Sequence, residues 1–337
     1  MIRARWGGAA LLGVGVATAL TLGPSAPAQP SGNAEELLRA ASTANEHQSY
    51  AGALAVEWRV HGQLHQVETF THVADGTVEV GGGDQRALSR DGQRFVGSPG
   101  NWSLLLGPDV PARAAPSADA HWDLSTGRGP TVAGRATVAV SAADPDTGAV
   151  RARFFIDPAT GTLLRRDVLG ADGRLLRRVA FETVVPLGSD GGAAAPSRAK
   201  PAEPGVVAKV PSRYRAPRVV GRGFVLLGQY TRQDGTIELD YGDGMFTLSL
   251  FEERGTVDWG SLPAGTSSEV GGVAARAYET PTTSVVVWGA KGLVVTCVSD
   301  APADQLALAA RDVVGGVPGS SVVHDIAHFV LGPFGWD

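Results

Sequence analysis

Seven histidines, one cysteine and many turn aspartates are the groups in this chain that can serve as bases, nucleophiles or metal ligands. His61, His65 and His72 lie close in sequence, but hairpin spacing places His65 and His72 on opposite faces, so no shared metal is expected. His324 and His328 stand i, i+4, a spacing that can bind zinc. H-x-x-x-H has no glutamate nearby, however, and these histidines read as solvent-facing. Cys297 lies in the apolar run Gly292–Val298, and a thiol buried there lacks the exposure and activating base of a catalytic cysteine. There is no G-x-S-x-G elbow and no Walker lysine, and Gly81-Gly82-Gly83-Asp84 lies between strands rather than before a helix. The expectation is therefore no catalytic residue, no metal and no cofactor.

The remaining chemistry is electrostatic. Arg165-Arg166 and Arg177-Arg178 fall on neighbouring strands, and within each pair alternation sends one arginine to each side of the sheet. They read either as solvated faces of a half-exposed sheet or as a basic patch for an acidic partner segment or anionic lipid head groups. Net charge is −5 and the pI about 5.8. No basic stripe with interleaved aromatics appears, so nucleic acid is not an expected partner.

The elements that must position these groups are mostly strands. Residues 33–48 read as a helix capped by Asn33, with Glu35 and Glu36 near its positive end. A hairpin follows, from Tyr50 to Val60 and from Gln66 to Val73, turning at His61-Gly62. Short strands are expected at Thr77–Val80, Arg86–Ser89 and Arg94–Val96. Residues 97–131 read as a long loop with one short helix near Trp102–Leu106. Between Val132 and Val185 the turns Asp144–Gly148, Asp157–Gly161 and Ala171-Asp172-Gly173 divide four strands of an antiparallel meander. From Val219 onward six strands (Phe224–Tyr230, Thr236–Tyr241, Met245–Glu252, Gly272–Glu279, Ser284–Ala290, Leu293–Ser299) precede a helix begun by Pro302. Leu306, Ala309, Ala310 and Val313 share one face of that helix. The tail suggests a turn or two of amphipathic helix around Val322–Phe329.

The N-terminus reads as an export signal: Arg3 and Arg5, an apolar run from Ala9 to Leu22, Pro24, then Ala26-Pro27-Ala28. Cleavage after Ala28 is expected over retention as an anchor, because the run is short for a membrane span. The expected layout is residues 1–28 signal peptide, 33–186 large domain, 187–218 a linker rich in Pro, Gly and Ala, 219–316 small α+β domain and 317–337 tail. On that layout the two domains should unfold independently.

Several motifs in order resemble the RseB/MucB family of periplasmic sigma-factor regulators. They are Ser49-Tyr50-Ala51-Gly52, Ser89-Arg90-Asp91-Gly92, Val132-Ala133-Gly134-Arg135, Phe155-Ile156-Asp157-Pro158-Ala159-Thr160-Gly161-Thr162-Leu163-Leu164, Gly223-Phe224, and Asp243-Gly244 through Ser249, Phe251 and Glu253. The resemblance implies an α+β fold. Its large domain would be a curved antiparallel half-barrel wrapped around helices, like the carriers LolA and LolB, and its small domain an antiparallel sheet with a helix. It implies a location outside the cytoplasmic membrane. Its partner would be the extracytoplasmic part of a membrane anti-sigma factor, which the family shields from proteolysis until an envelope-stress signal. On this reading Arg165, Arg166, Arg177 and Arg178 are the candidate partner-binding residues. The concave side would accept an acyl lipid or lipoprotein, lined by Leu54, Val56, Trp58, Phe70, Phe154, Ile156, Leu164 and Phe181. That lining rests on strand alternation and so on register. The competing reading is a lipid or lipoprotein carrier of the cell envelope.

Overall fold

The computed structural model describes residues 32–74, 77–82, 85–90, 93–98, 101–104, 120–186, 214, 216–232, 235–290, 292–313 and 322–323. The export signal, the linker from 187 to 213 and His324 and His328 lie outside the described residues. The chain opens with α1 (Gly32–His47) and runs into β1 (Tyr50–Val60) and β2 (Gln63–Ala74). The turn between the strands places both His61 (φ 50°) and Gly62 (φ 80°) in the left-handed region, the two-residue geometry whose twist matches a hairpin. β3 (Thr77–Gly82), β4 (Gln85–Arg90), β5 (Gln93–Ser98) and β6 (Asn101–Leu104) extend it strand by strand. Then come β7 (Asp123–Arg128), β8 (Val138–Ala143), β9 (Val150–Ile156), β10 (Leu163–Leu169) and β11 (Leu175–Pro186).

These strands form one 11-stranded sheet, order β6-β5-β4-β3-β2-β1-β11-β10-β9-β8-β7. Two meanders are joined where β1 pairs antiparallel with β11, and the sheet ends on β6 and β7 without closing. The expected loop with a helix near Trp102 is corrected: Asn101–Leu104 is a strand paired with β5, and Asp123–Arg128 is a strand paired with β8. Four residues cannot repay helix nucleation, whereas a waiting sheet edge supplies hydrogen bonds at once.

The loops of the second meander are built as its turn residues require. At the β9–β10 turn Gly161 donates to the Asp157 carbonyl at 2.8 Å, and Asp157 Oδ1 accepts from Ala159 N at 2.9 Å. Gly161 has φ 76°, and a Cβ there would lie 3.3 Å from the Ala40 carbonyl. Glycine is needed for both the turn and the seating of α1. Burial raises the Asp157 pKa, but the Arg135 guanidinium at 2.7 Å and the turn N–H groups outweigh it and hold the carboxyl below its usual range.

The small domain holds β12 (Val219–Val220), β13 (Phe224–Thr231), β14 (Ile237–Gly242), β15 (Thr247–Arg254) and β16 (Thr256–Val257). β17 (Thr266–Val270), β18 (Val273–Glu279), β19 (Ser284–Ala290), β20 (Leu293–Ser299), α2 (Ala303–Val313) and β21 (Val322–Val323) follow. Eight strands make its sheet, order β12-β13-β14-β15-β20-β19-β18-β17. Leu306, Ala309, Ala310 and Val313 of α2 are buried, as their spacing requires. In the tail, Val322–Val323 forms a strand parallel to β16 rather than the expected helix. One buried cluster runs through both domains, from Leu38, Phe154 and Ile156 to Phe246, Trp288 and Leu306.

The candidate partner and lipid surfaces

The two arginine pairs divide between the faces of the large sheet. Arg165 and Arg178 share Asp167, with Nε–Oδ1 distances of 2.8 Å each, and Arg178 also reaches Glu57 at 3.1 Å. Burial works against the Asp167 carboxylate, but the two guanidinium groups more than offset it and lower its pKa. Arg165 lies over the Phe155 ring at 4.6 Å. Both arginines keep part of their side chains in solvent, 22% and 26%.

Arg166 and Arg177 face the small domain instead. Arg166 pairs with Asp300 at 2.6 Å, donates to the Met245 carbonyl at 3.1 Å, and stacks between the Phe154 and Phe246 rings at 5.4 and 5.5 Å. Arg177 donates to Ser284 Oγ at 2.8 Å, to the Asp300 and Ala301 carbonyls at 2.8 and 2.9 Å, and to Glu279 at 3.2 Å. Only 4% of it is exposed, and burial pushes its pKa down against the pull of Glu279 and Asp300. The alternation inferred from sequence holds, but the four arginines form no single basic patch. All four pair within the chain, and Arg165 and Arg178 keep part of their side chains in solvent.

Three further contacts of the same joint escaped the sequence reading. Arg151 on β9, 3% exposed, meets Asp304 in the first turn of α2 at 2.5 Å. Arg222 reaches Asp144 at 3.0 Å and Asp146 at 3.1 Å. His61 at the tip of the first hairpin hydrogen-bonds Thr266 of β17 at 2.8 Å. Nothing in the local pattern names such partners, since each lies dozens of residues away in the chain.

The eight candidate lining residues do not form one surface. Leu54, Leu164 and Phe181 pack together with Tyr50, Val132 and Phe155. Phe154 and Ile156 belong to the cluster shared with α1 and the small domain, and both are fully buried. Val56 is buried between Val67 and Val179 in the strand register. Trp58 is half-buried and stacks on His65 at 5.4 Å. Phe70 pairs with Ala53, and its side chain lies outside those described. The single-surface expectation fails at irregularities of register, between Ala53 and Leu54 and between Leu163 and Arg165, where simple alternation stops assigning faces.

Among the described residues no three His, Cys, Asp or Glu side chains come together as a metal site. Cys297 is buried, which pushes its thiol pKa well up and leaves it unreactive. No described helix is long and apolar enough to cross a membrane.

No protein-family model and no curated protein matches this sequence. Solved structures do. A chain of the Pseudomonas aeruginosa MucA/MucB complex superposes with a TM-score of 0.51 at 22% identity, over 86% of this chain and 99% of that one. MucB in complex with MucA(peri) gives 0.47 at 21% identity, over 82% and 97%. A LolA superfamily protein from Nitrosomonas europaea gives 0.21 at 9% identity, over 79% and 90%. The first likeness covers 86% of this chain, so the chain is MucB-like in fold: an open antiparallel half-barrel holding a helix, locked to a small sheet-and-helix domain.

Proposed function

We propose that this chain is an exported regulatory binding protein. It holds the extracytoplasmic segment of a membrane anti-sigma factor outside the cytoplasmic membrane and modulates that factor's proteolysis in envelope-stress signalling. The observation that carries the reading is the two-domain fold shared with a chain of the MucA/MucB complex, covered over 99% of its length. The arginine–aspartate group of Arg165, Arg178 and Asp167 supports a polar contact with the partner, because its two guanidinium groups are held in place by a buried carboxylate while part of each remains in solvent. The test is co-purification of the mature chain with the extracytoplasmic segment of the anti-sigma factor. A stable complex is expected. Arg165→Glu with Arg178→Glu should weaken it, and added salt should weaken it too. A complex unaffected by both treatments removes these arginines from the contact, and no complex at all removes the function.

A second reading, a lipid or lipoprotein carrier, is favoured by the apolar side chains left exposed along the first hairpin and its neighbour: Leu64 at 49%, Val67 at 44% and Val185 at 59%. On this reading the mature chain takes up an environment-sensitive fatty-acid probe from solution, and Val67→Asp reduces the uptake. Val67 is exposed, so this variant folds. Uptake no greater than that of an unrelated exported protein ends the lipid reading.

A further inference from the structure

We propose that the joint between the two domains carries a site for a primary ammonium group, the tip of a lysine side chain on a polypeptide partner. A cavity of about 60 Å³ lies where the β8–β9, β12–β13 and β14–β15 turns meet α2. Trp122 and Phe224 line it, together with Asp144, Asp146, Asp243 and Gln305. Its space is enough for a few waters or one alkylammonium tip.

Of these polar groups, Gln305 and Asp243 meet no cation among the described residues. Gln305 is 7% exposed, and its Oε1 has no hydrogen-bond partner. Asp243 is 4% exposed and accepts the Met245 and Phe246 backbone N–H groups at 2.8 and 2.7 Å, both through Oδ1. Burial pushes its pKa up to about 7 despite those two donors, and the Asp300 carboxylate adds to the rise. Arg222, which also lines the cavity, is turned to Asp144 and Asp146 and is half in solvent. The turn that carries it is fixed by close packing, since a Cβ on Gly223 (φ 131°) would meet His121 Nδ1 at 2.7 Å.

An ammonium carries three N–H donors and no acceptor. Gln305 Oε1 and the Asp243 carboxyl are acceptors for it, and the aromatic rings of Trp122 and Phe224 favour its charge. The rim aspartates repel phosphate, which favours a lysine over the ethanolamine head group of a phospholipid. The choice of source rests on the polypeptide-partner reading, but the site is tested without that partner.

The experiment titrates the 15N-labelled mature chain with Nα-acetyl-lysine-N-methylamide and follows the Trp122 indole N–H, assigned by its loss in Trp122→Phe. A saturable shift is expected. Asp243→Asn, which keeps the turn-capping oxygen and removes the charge, should weaken binding about tenfold, the scale of one charge-assisted hydrogen bond. Gln305→Leu should weaken it in the same direction and serves if the first variant fails to fold. Tetramethylammonium, which has the charge but no N–H, should leave the signal unmoved. An unsaturable shift, an unchanged affinity in the folded variants, or equal binding of tetramethylammonium overturns the site. Tighter binding of glycerophosphoethanolamine than of the lysine probe overturns the polypeptide source. Because no partner protein is present, a missing anti-sigma interaction is read separately by co-purification.

Discussion

Arg177→Met is expected to destabilise the protein by about 3–5 kcal/mol, the range for removing one member of a buried, hydrogen-bonded charge cluster. The arginine is almost wholly buried and its donors engage four acceptors on the small domain. Methionine fills a similar volume but leaves Ser284 Oγ and two carbonyls without donors, in a place water does not reach easily. Urea denaturation measures the loss. Arg39→Ala is the control. Its partner Glu35 sits one helical turn away, its side chain is 64% exposed, and it should cost no more than about 0.5 kcal/mol. The same experiment decides how the two domains unfold. The shared core and the ionic joint predict one cooperative transition for the wild type, replacing the independent unfolding expected from the linker. The variant should separate it into two. A variant within about 1 kcal/mol of wild type, still unfolding in one step, shows that the joint contributes little.

Local chemistry was legible in this sequence and distant pairing was not. Asp157-Pro158-Ala159-Thr160-Gly161 announces its turn because the aspartate caps it and the glycine takes positive φ. The buried face of α2 follows from 3.6-residue spacing, and the division of the arginine pairs between two faces follows from alternation. By contrast, the pairing of β1 with β11 joins residues over a hundred positions apart, and no local pattern encodes it. The partners of Arg166 and Arg177 are hidden for the same reason. An arginine on a sheet face looks alike to the sequence reader whether water or Asp300 stands opposite. The lining of the half-barrel was misread where irregular pairing broke the alternation on which it depended, and at Phe70, which the unbroken β1–β2 register sets opposite Ala53 rather than Leu54.

The small domain should grow less stable as pH rises from about 4.5 to 7, and Glu252→Gln should remove much of that slope. Glu252 sits on β15 opposite Ile237 and Val295, 1% exposed, with Oε2 lacking a hydrogen-bond partner. Burial pushes its pKa up to about 7 from 4.5. Below pH 4.5 both folded and unfolded chains hold the proton, and the group contributes no penalty. As pH rises further the unfolded carboxyl ionises freely while the folded one keeps its proton, so unfolding is increasingly favoured. Above about 7 the penalty is complete, on the order of 3 kcal/mol at 1.36 kcal/mol per pKa unit. Asp243, pushed up to about 7, Asp240, pushed up to about 6, Glu238, pushed up to about 8 by burial and the Asp240 charge, and Glu279, also raised by burial, act in the same direction. Asp157 and Asp167 act oppositely, because their pKa values are lowered, but their stabilisation is lost only as pH falls below about 3.8, outside this window. Urea denaturation at pH 5 and pH 8 therefore separates the groups. Glu252→Gln should be about equal to wild type at pH 5 and more stable by roughly 2–3 kcal/mol at pH 8. A difference between the two proteins that stays constant from pH 5 to 8 would mean that Glu252 does not titrate in this range, and the slope would then belong to the other buried carboxyls, Glu238 and Glu279 among them.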